Sequence, residues 1–361
     1  MQTARNRFFL PFKFFFDKRI RAMRFMFFEL THKCNLSCVH CGSDCIKDNK
    51  SEDLSSEVVI STLKEIKNHY NCHEITVILS GGEPTLYPGV WDLGKKIIEL
   101  EFPWGMVTNG LSWDKDTIRK AKESRMHTVT VSLDGLEQNH NWFRGNPKSF
   151  RKAVNAIEMI LDTPEIYKKD VMTCVNRRNL DELDELFDFL KEKGLKRWRL
   201  TAVDPIGRAK KDPDLILKPE EFKRFMEKIK ELRARKEINI MFSDNGYVGP
   251  CYEYDVRPRP FFCMAGINVA GVMVDGSILA CPNIDRKFSQ GNIHTDSFVE
   301  VWQNKFKPFR DRSWKKTDKC RNCSEWKMCE GGPMHLWEHD TKKMLLCHYK
   351  DLLCQKGEEN D

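Results

Sequence analysis

Residues 27–41 read FFELTHKCNLSCVHC, in which Cys34, Cys38 and Cys41 follow an apolar, strand-like run with the spacing C-x3-C-x2-C. Three thiolates can hold three irons of a [4Fe-4S] cluster, and the fourth iron then stays open to another ligand. Because Cys45 follows four residues later, a closed four-cysteine cluster or a zinc site is an alternative. Ferredoxin runs use C-x2-C-x2-C-x3-C and zinc sites use separated C-x2-C pairs, so the spacing favours an open cluster. We expect Cys45 to be a buried or loop thiol.

The composition is that of a globular protein with reduced cysteines. The 361 residues exceed one ordinary domain and suit one barrel with an appended module. No apolar run approaches the ~20 residues of a membrane span, so no transmembrane helix is expected. Fourteen cysteines without a cleavable secretory signal favour metal ligation in a reducing compartment over a disulfide scaffold. The sequence therefore predicts a cytoplasmic protein.

The first 25 residues combine aromatic and basic side chains. Residues 8–16 read FFLPFKFFF, and four basic residues follow before residue 25. Two interpretations are open: packing against the domain, or weak contact with a membrane surface through residues 8–24, at the inner face of the membrane. The net charge of +7 is spread along the chain, which indicates a solvated surface. No nucleic-acid partner is expected.

Apolar and amphipathic segments alternate through the first two thirds of the chain. Strands are predicted near residues 26–31, 75–79, 105–108, 127–133, 169–175 and 196–202. Helices are predicted near residues 55–69, 89–101, 114–124, 147–162 and 179–193. Such alternation predicts an α/β fold with a parallel sheet, and right-handed crossovers curl six strands into a partial (β/α)6 TIM-type barrel. Ligands should bind at the carboxyl ends of the strands, where the three cysteines lie.

Three predicted strands end in residues that can contact a ligand. The second runs into Gly81, Gly82, Glu83 and Pro84, where the glycines allow a close backbone approach and Glu83 offers a carboxylate to an ammonium group. Asn109 follows the third strand and Ser132 the fourth. Each segment also suits a simple turn.

Four aspartates near strand ends or turns are candidates for an acid or base, namely Asp134, Asp204, Asp244 and Asp275. Aspartate is also a common turn former, so no catalytic residue is assigned.

The pattern changes past residue 210, where a helix near residues 218–236 leads into a region rich in cysteine, glycine and proline. Its cysteines are Cys251, Cys263, Cys281, Cys320, Cys323, Cys329, Cys347 and Cys354. A zinc ribbon is an alternative for this region. Zinc normally draws four ligands as two close pairs, whereas this region has one tight group of three and more thiols than one tetrahedral site needs. The spacing therefore favours iron–sulfur clusters.

The cysteine loop and the strand-end motifs together resemble the radical S-adenosylmethionine (SAM) superfamily. In that family the amino and carboxylate groups of SAM bind the open iron of the cluster. The resemblance implies that the SAM amino group is contacted by Gly81, Gly82, Glu83 and Pro84. It also implies that Asn109 and Ser132 contact SAM, with Ser132 at the ribose or carboxylate of SAM. By the same resemblance, Arg144 reaches the SAM carboxylate and His40 lies near the adenine. Residues 205–209, just past the sixth strand, resemble a segment that borders the adenine, although a linker is equally possible.

The C-terminal cysteines resemble the SPASM domain, which carries auxiliary [4Fe-4S] clusters in radical SAM enzymes that mature peptides and proteins. Six of the seven cysteines of that pattern are present, and Pro333 replaces the remaining one. The resemblance implies a second auxiliary cluster on Cys320, Cys323, Cys329 and Cys347. A first one would use Cys263 and Cys281 with Cys251 or Cys354, so one or two auxiliary clusters are expected.

These resemblances imply four segments: a basic aromatic segment 1–25, a radical SAM partial barrel 26–235, a SPASM domain 236–355 and a polar tail 356–361. The implied activity is reductive cleavage of SAM to a 5'-deoxyadenosyl radical that takes hydrogen from a peptide or protein, giving a crosslinked or dehydrogenated product. Reduced flavodoxin or ferredoxin is the implied electron donor. The leader and cysteine loop look most similar to the maturases of the rSAM/lipoprotein system. An iron–sulfur electron carrier and an RNA-modifying radical SAM enzyme are the alternatives.

Overall fold

The computed structural model describes residues 20, 22–46, 51–243 and 245–354. Its strands are β1 (Phe25–Thr31), β2 (Thr76–Gly81), β3 (Trp104–Thr108), β4 (Thr128–Ser132), β5 (Lys168–Val175), β6 (Arg197–Ala202), β7 (Asn239–Phe242), β8 (Val269–Val272) and β9 (Ile278–Leu279). The longer helices are α1 (Ser56–Lys67), α2 (Val90–Glu99), α3 (Lys115–Glu123), α4 (Glu137–Arg144), α5 (Ser149–Leu161), α6 (Leu183–Glu192) and α7 (Pro219–Ala234).

All described strands belong to one sheet with the order β7-β6-β5-β4-β3-β2-β1-β8-β9. The pairs from β1 to β7 are parallel, and helices connect most of them. The α/β class and the open partial barrel are confirmed. Each of the six predicted strands is present, with ends that differ by no more than two residues.

The sheet is larger than the predicted six strands. Strands β7, β8 and β9 have four residues or fewer, which is too short to show a period of two in the sequence. Strand β8 pairs in parallel with β1, and only the β8–β9 pair is antiparallel among the described strands. The cysteine-rich region therefore extends the barrel sheet at its β1 edge.

Helix α4 was also missing from the sequence prediction. Its sequence EQNHNWFR is mostly polar, so it lacks the apolar stripe that identifies an amphipathic helix. The helix nevertheless buries His140, Phe143 and Arg144, and it ends at Gly145, whose φ of 66° suits a left-handed C-cap. This short helix positions three side chains at the carboxyl edge of the sheet.

Two sequence predictions concern the ends of the segments. The proposed boundary at residue 235 follows the end of α7, but β7 then pairs with β6 before the cysteine-rich region begins, so the boundary stays a prediction. The aromatic and basic leader lies largely outside the described residues, which omit residues 1–19 and 21. Among the helices of the described ranges, none has both the length and the apolar character that crossing a bilayer requires.

Strand β1 pairs with β2 on one side and with β8 on the other, so its buried side chains are important for stability. Phe28 is fully buried, so Phe28→Ala should lower the free energy of unfolding by about 3–5 kcal/mol. Tyr167→Ala is the control, because Tyr167 is 75 % exposed and its loss should change stability by no more than about 0.5 kcal/mol. Urea denaturation followed by circular dichroism measures both, and equal stability losses would contradict this packing.

Candidate iron–sulfur and cofactor site

The three predicted cluster cysteines lie in one loop directly after β1. The loop closes on itself because Cys34 N–H donates to the Ile46 carbonyl at 3.2 Å. Cys34 and Cys38 are buried, Cys41 packs against them, and Cys45 is buried in the same group. The structure therefore brings together the three thiols predicted to hold the cluster, and Cys45 contacts that group.

Two glycines at the end of β2 allow this loop to pack against the sheet. A Cβ atom on Gly81 would lie 2.3 Å from the Thr31 carbonyl oxygen, and one on Gly82 would lie 2.2 Å from that of Lys33. Gly81 also has a φ of 128°, which L side chains rarely adopt. The close approach predicted for a ligand is made here by the backbone of the cluster loop itself.

Glu83 joins the ends of two neighbouring strands. Its carboxylate accepts hydrogen bonds from the Thr108 hydroxyl and the Asn109 N–H, both at 2.8 Å, and from the Thr85 hydroxyl at 2.8 Å. Burial raises the pKa of Glu83, and these donors oppose that shift. These three donors hold the Glu83 carboxylate in place, and the contact with an ammonium group stays a prediction. Pro84 begins the turn that follows.

Each cluster thiol has a hydrogen-bond donor aimed at it. Asn109 Nδ2 lies 3.9 Å from Cys34 Sγ, and Arg144 Nη1 lies 3.7 Å from Cys38 Sγ. The Cys45 thiol and the Arg208 guanidinium donate to Cys41, and they lower its pKa despite burial. Donors to sulfur stabilise the thiolate form and tune an iron–sulfur cluster. The loop therefore fits a [4Fe-4S] cluster on three cysteines.

Arg144 is held by Asp134 in a buried ion pair. Arg144 Nε lies 2.5 Å from Asp134 Oδ2, and Asp134 Oδ1 accepts the Cys174 N–H at 2.9 Å. Burial alone would raise the pKa of Asp134, but the guanidinium lowers it, so Asp134 is ionised. Arg144 lies where the sequence placed it, beside the cluster loop, but its charge is already paired. The sequence did not reveal this pair.

The remaining predicted SAM contacts lie at the same edge. Ser132 ends β4 and is half-buried. The His40 ring stacks on Phe143 with centroids 3.8 Å apart and planes 2° from parallel, so one face of the imidazole is covered. Gly207, in the segment after β6, packs against the loop, because a Cβ there would lie 2.3 Å from the Cys41 carbonyl oxygen.

Four thiols of the second region line one cavity: those of Cys320, Cys323, Cys329 and Cys347, with Pro333 in the same wall. Zinc bonds of about 2.3 Å would bring four sulfurs within about 4 Å of one another. In the described ranges, only one trio of candidate ligands has its ligand atoms within 4.8 Å of one another, and it consists of Cys72, His73 and Glu101 rather than any of these four thiols. Glu101 of that trio already pairs with Lys67. The wider spacing of the four thiols disfavours zinc and fits a four-iron cube.

The first auxiliary site is less complete. Cys263 is buried, Cys281 is half-buried and Cys251 is exposed. Cys354 N–H donates to the carbonyl of Tyr349, a residue of the four-thiol cavity, so Cys354 lies near the second site.

Two buried cations lie beside Cys263. Arg312 donates to the Cys263 carbonyl, and its Nη1 lies 3.7 Å from Oε2 of Glu330 in an ion pair. Lys315 is fully buried, and burial together with Arg312 lowers its pKa to about 7 against the opposing effect of the Cys263 thiol. Buried positive charge next to thiols suits an anionic cluster.

The candidate aspartates differ in their surroundings. Asp134 pairs with Arg144, as described, and Asp275 is exposed and accepts the Ser277 N–H as a turn former does. Asp244 lies outside the described residues. Asp204 is buried against His335 and His348 of the cysteine-rich region. No sequence signal indicated these two histidines, because they follow Asp204 by more than 130 residues.

The geometry defines an iron–sulfur protein with a three-thiol centre at the carboxyl edge of a parallel sheet and a further thiol centre in the C-terminal region. Residues 28–190 match the family model of the Radical SAM superfamily, and residues 263–324 match SPASM, the iron-sulfur cluster-binding domain. The chain belongs to the radical SAM superfamily and carries a SPASM domain. SAM, a [4Fe-4S] cluster and auxiliary clusters are therefore its cofactors.

Similar proteins include enzymes with different substrates. The AdoMet-dependent heme synthase of Methanosarcina barkeri is 25% identical over 331 residues, covering 86% of this chain and 91% of the relative. The mycofactocin maturase MftC of Mycolicibacterium smegmatis is 28% identical and covers 88% of this chain and 80% of the relative. The structure of anSMEcpe with bound AdoMet and a peptide has a TM-score of 0.70 at 22% identity, covering 90% of this chain and 93% of that one, which supports the fold.

The contact between Gly82 and the cluster loop can be tested with a glycine of that loop as the control. Gly82→Ala forces a Cβ to within 2.2 Å of the Lys33 oxygen, so the loop must move and about four irons per chain should be lost. Gly42→Ala is the matched control, because its Cβ would meet only Ile206 at 3.5 Å. Iron and sulfide are measured after anaerobic reconstitution. Equal iron in the two variants would refute a requirement for glycine at position 82.

Removing only the cation of the buried ion pair between Arg144 and Asp134 should greatly reduce the stability of the protein. Arg144→Met leaves Asp134 buried and unpaired, which should lower the free energy of unfolding by about 3–5 kcal/mol. Arg119→Met, an exposed arginine with two surface partners, should cost at most about 1 kcal/mol. Adding Asp134→Asn to Arg144→Met should recover part of the loss. Chemical denaturation tests the set, and a stable Arg144→Met protein would mean that the pair is not structural.

Proposed function

We propose that this protein modifies a peptide or protein substrate by radical SAM chemistry, and that the product is oxidised by formation of a crosslink or by dehydrogenation. With its cofactors bound, the site supplies a 5'-deoxyadenosyl radical that removes a hydrogen atom from the substrate. The chain's own residues hold the cluster thiolates, orient the cofactor at the sheet edge and exclude water.

The observation that carries the proposal is the continuity between the two thiol centres. Strand β1 leads into the loop of Cys34, and its neighbour β8 belongs to the SPASM region. A radical centre and a cluster-binding region joined through one sheet suit a reaction that removes a hydrogen atom and then an electron from one substrate. A simple electron carrier would not need the strand-end residues of a cofactor site.

The class of substrate is supported by some relatives and not by others. MftC and the subtilosin biosynthesis protein AlbA of Bacillus subtilis, 25% identical over 81% of this chain, are named for peptide products. SuiB of Streptococcus suis is known bound to its precursor peptide SuiA, with a TM-score of 0.67 at 18% identity. The heme synthases support a porphyrin instead, so both substrate classes belong in the test.

We further propose a cytoplasmic protein that receives electrons from reduced flavodoxin or ferredoxin. Its many free thiols suit a reducing compartment. The basic aromatic leader is proposed to give weak contact with the inner membrane surface, and similarity to lipoprotein-system maturases would fit such a location.

The test uses anaerobically reconstituted full-length protein. Formation of 5'-deoxyadenosine from SAM is measured with dithionite, with a pooled synthetic peptide library and, separately, with iron-coproporphyrin. Wild type should form 5'-deoxyadenosine and release a peptide product two hydrogens lighter, with roughly eight or twelve irons per chain for one or two auxiliary clusters. The variant with Cys34, Cys38 and Cys41 all changed to alanine should form none.

Two outcomes would overturn the proposal. Absence of 5'-deoxyadenosine from fully loaded wild type would favour an electron carrier. Turnover of the porphyrin alone would assign the protein to the chemistry of the heme synthases.

A further inference from the structure

A buried carboxylate joins the end of β6 to the SPASM region. Asp204 Oδ2 lies 2.9 Å from His335 Nε2, and Oδ1 lies 3.0 Å from His348 Nε2. Asn245 Nδ2 donates to the same carboxylate at 2.8 Å. Asp204 is 6 % exposed, so this cluster is nearly closed to solvent.

The carboxylate is ionised in this environment. Burial alone would raise the pKa of Asp204, but the two imidazoles hold it well below its usual range. An ionised carboxylate only accepts hydrogen bonds, so the His335 nitrogen facing it carries a proton. In the neutral His335 ring, Nδ1 is then the unprotonated nitrogen that can accept a proton.

The two histidines differ in access. The His348 side chain is 1 % exposed, and a Cβ on Gly246 would lie 2.3 Å from its Nδ1. His348 also follows Cys347 directly, so it belongs to the support of the thiol cavity. The His335 side chain is 14 % exposed. His335 is therefore the more accessible of the two rings.

The cluster lies between the two thiol centres. Three residues after Asp204, Gly207 packs on the backbone of Cys41, and Arg208 N–H donates to the Cys41 carbonyl at 3.0 Å. On the other side, Pro333 and His348 line the four-thiol cavity. A proton acceptor at this position therefore lies between the cluster loop and the four-thiol cavity.

We propose that His335, positioned by Asp204, accepts the proton that the substrate releases when its radical is oxidised. This inference rests on the proposed function. A hydrogen atom leaves a substrate C–H bond for the 5'-deoxyadenosyl radical, which becomes 5'-deoxyadenosine. An electron then passes from the substrate radical to an oxidised auxiliary [4Fe-4S] cluster, and a second proton leaves for His335 Nδ1. The substrate has lost two hydrogens and gains one new bond between the two atoms that carried them.

The first test locates the proton on the ring and needs no substrate. Holoenzyme labelled with nitrogen-15 in histidine is compared by NMR with its His335→Gln variant, which assigns the resonance. Neutral His335 should carry hydrogen on Nε2, and Asp204→Asn should shift the population toward the Nδ1–H form. A wild-type ring protonated on Nδ1 in its neutral form would overturn the proposal.

The second test separates hydrogen abstraction from proton loss. With a deuterated form of the library peptide that wild type modifies, His335→Gln should still transfer deuterium into 5'-deoxyadenosine. Its yield of product per 5'-deoxyadenosine should fall about 100-fold or more, as for loss of a general base. Asp204→Asn should give an intermediate fall. His339→Gln, the same change at a more exposed histidine of this region, should keep the wild-type ratio.

Iron content and the thermal unfolding midpoint show whether each variant is folded, and Asp204→Asn carries the test if His335→Gln is not. An unchanged ratio in folded His335→Gln would overturn the inference while leaving the proposed function intact. Wild type that forms no 5'-deoxyadenosine would instead refute the proposed function, and the NMR result would still decide the position of the proton.

Discussion

The whole site depends on the close approach between the end of β2 and the loop that follows β1. Gly82 N–H donates to the Thr31 carbonyl at 2.7 Å, and Glu83 N–H donates to the Lys33 carbonyl at 3.0 Å. These bonds continue the parallel pairing of β1 and β2 past the sheet edge and into the cluster loop. A side chain at either glycine would separate the two backbones, and the thiols would lose their common position. Backbone geometry, rather than side-chain chemistry, thus places the cluster.

Charged side chains then set the electrostatic environment of the cluster thiols. Buried cysteines resist ionisation, and burial raises the pKa of Cys34 to about 11. The protein offsets this with Arg144 at Cys38 and Arg208 at Cys41, and an ionised Asp134 holds Arg144 in place. The arginines supply positive charge where a cluster on thiolates brings negative charge. Binding of the cluster and folding of this edge are therefore coupled.

Sequence reasoning recovered the parts of the fold whose signals are local. Strands β1 to β6 carry apolar runs, and the cysteine spacing in the loop is itself diagnostic of the centre. It missed α4 because packing, and not periodicity, makes EQNHNWFR a helix. The ammonium contact suggested for Glu83 stays a prediction, and the sequence did not reveal the three donors from Thr85, Thr108 and Asn109 that hold its carboxylate. The pairing of Asp204 with His335 spans 131 residues, and no local pattern in the sequence links the end of β6 to the cysteine-rich region.

Pro333 stands where the SPASM pattern has a cysteine, and buried basic side chains lie near this position. Lys315 packs on the turn between Cys329 and Pro333, since a Cβ on Gly331 would lie 2.8 Å from Lys315 Cβ, and its ammonium donates to the Gly332 carbonyl at 2.9 Å. Burying a cation costs several kcal/mol unless an anion compensates it. Arg312, the second buried basic group beside Cys263, is compensated in this way, because its Nη1 lies 3.7 Å from Glu330 Oε2. Lys315 is therefore the buried basic group whose charge a cluster bound beside Cys263, on fewer thiolates than the SPASM pattern provides, would compensate.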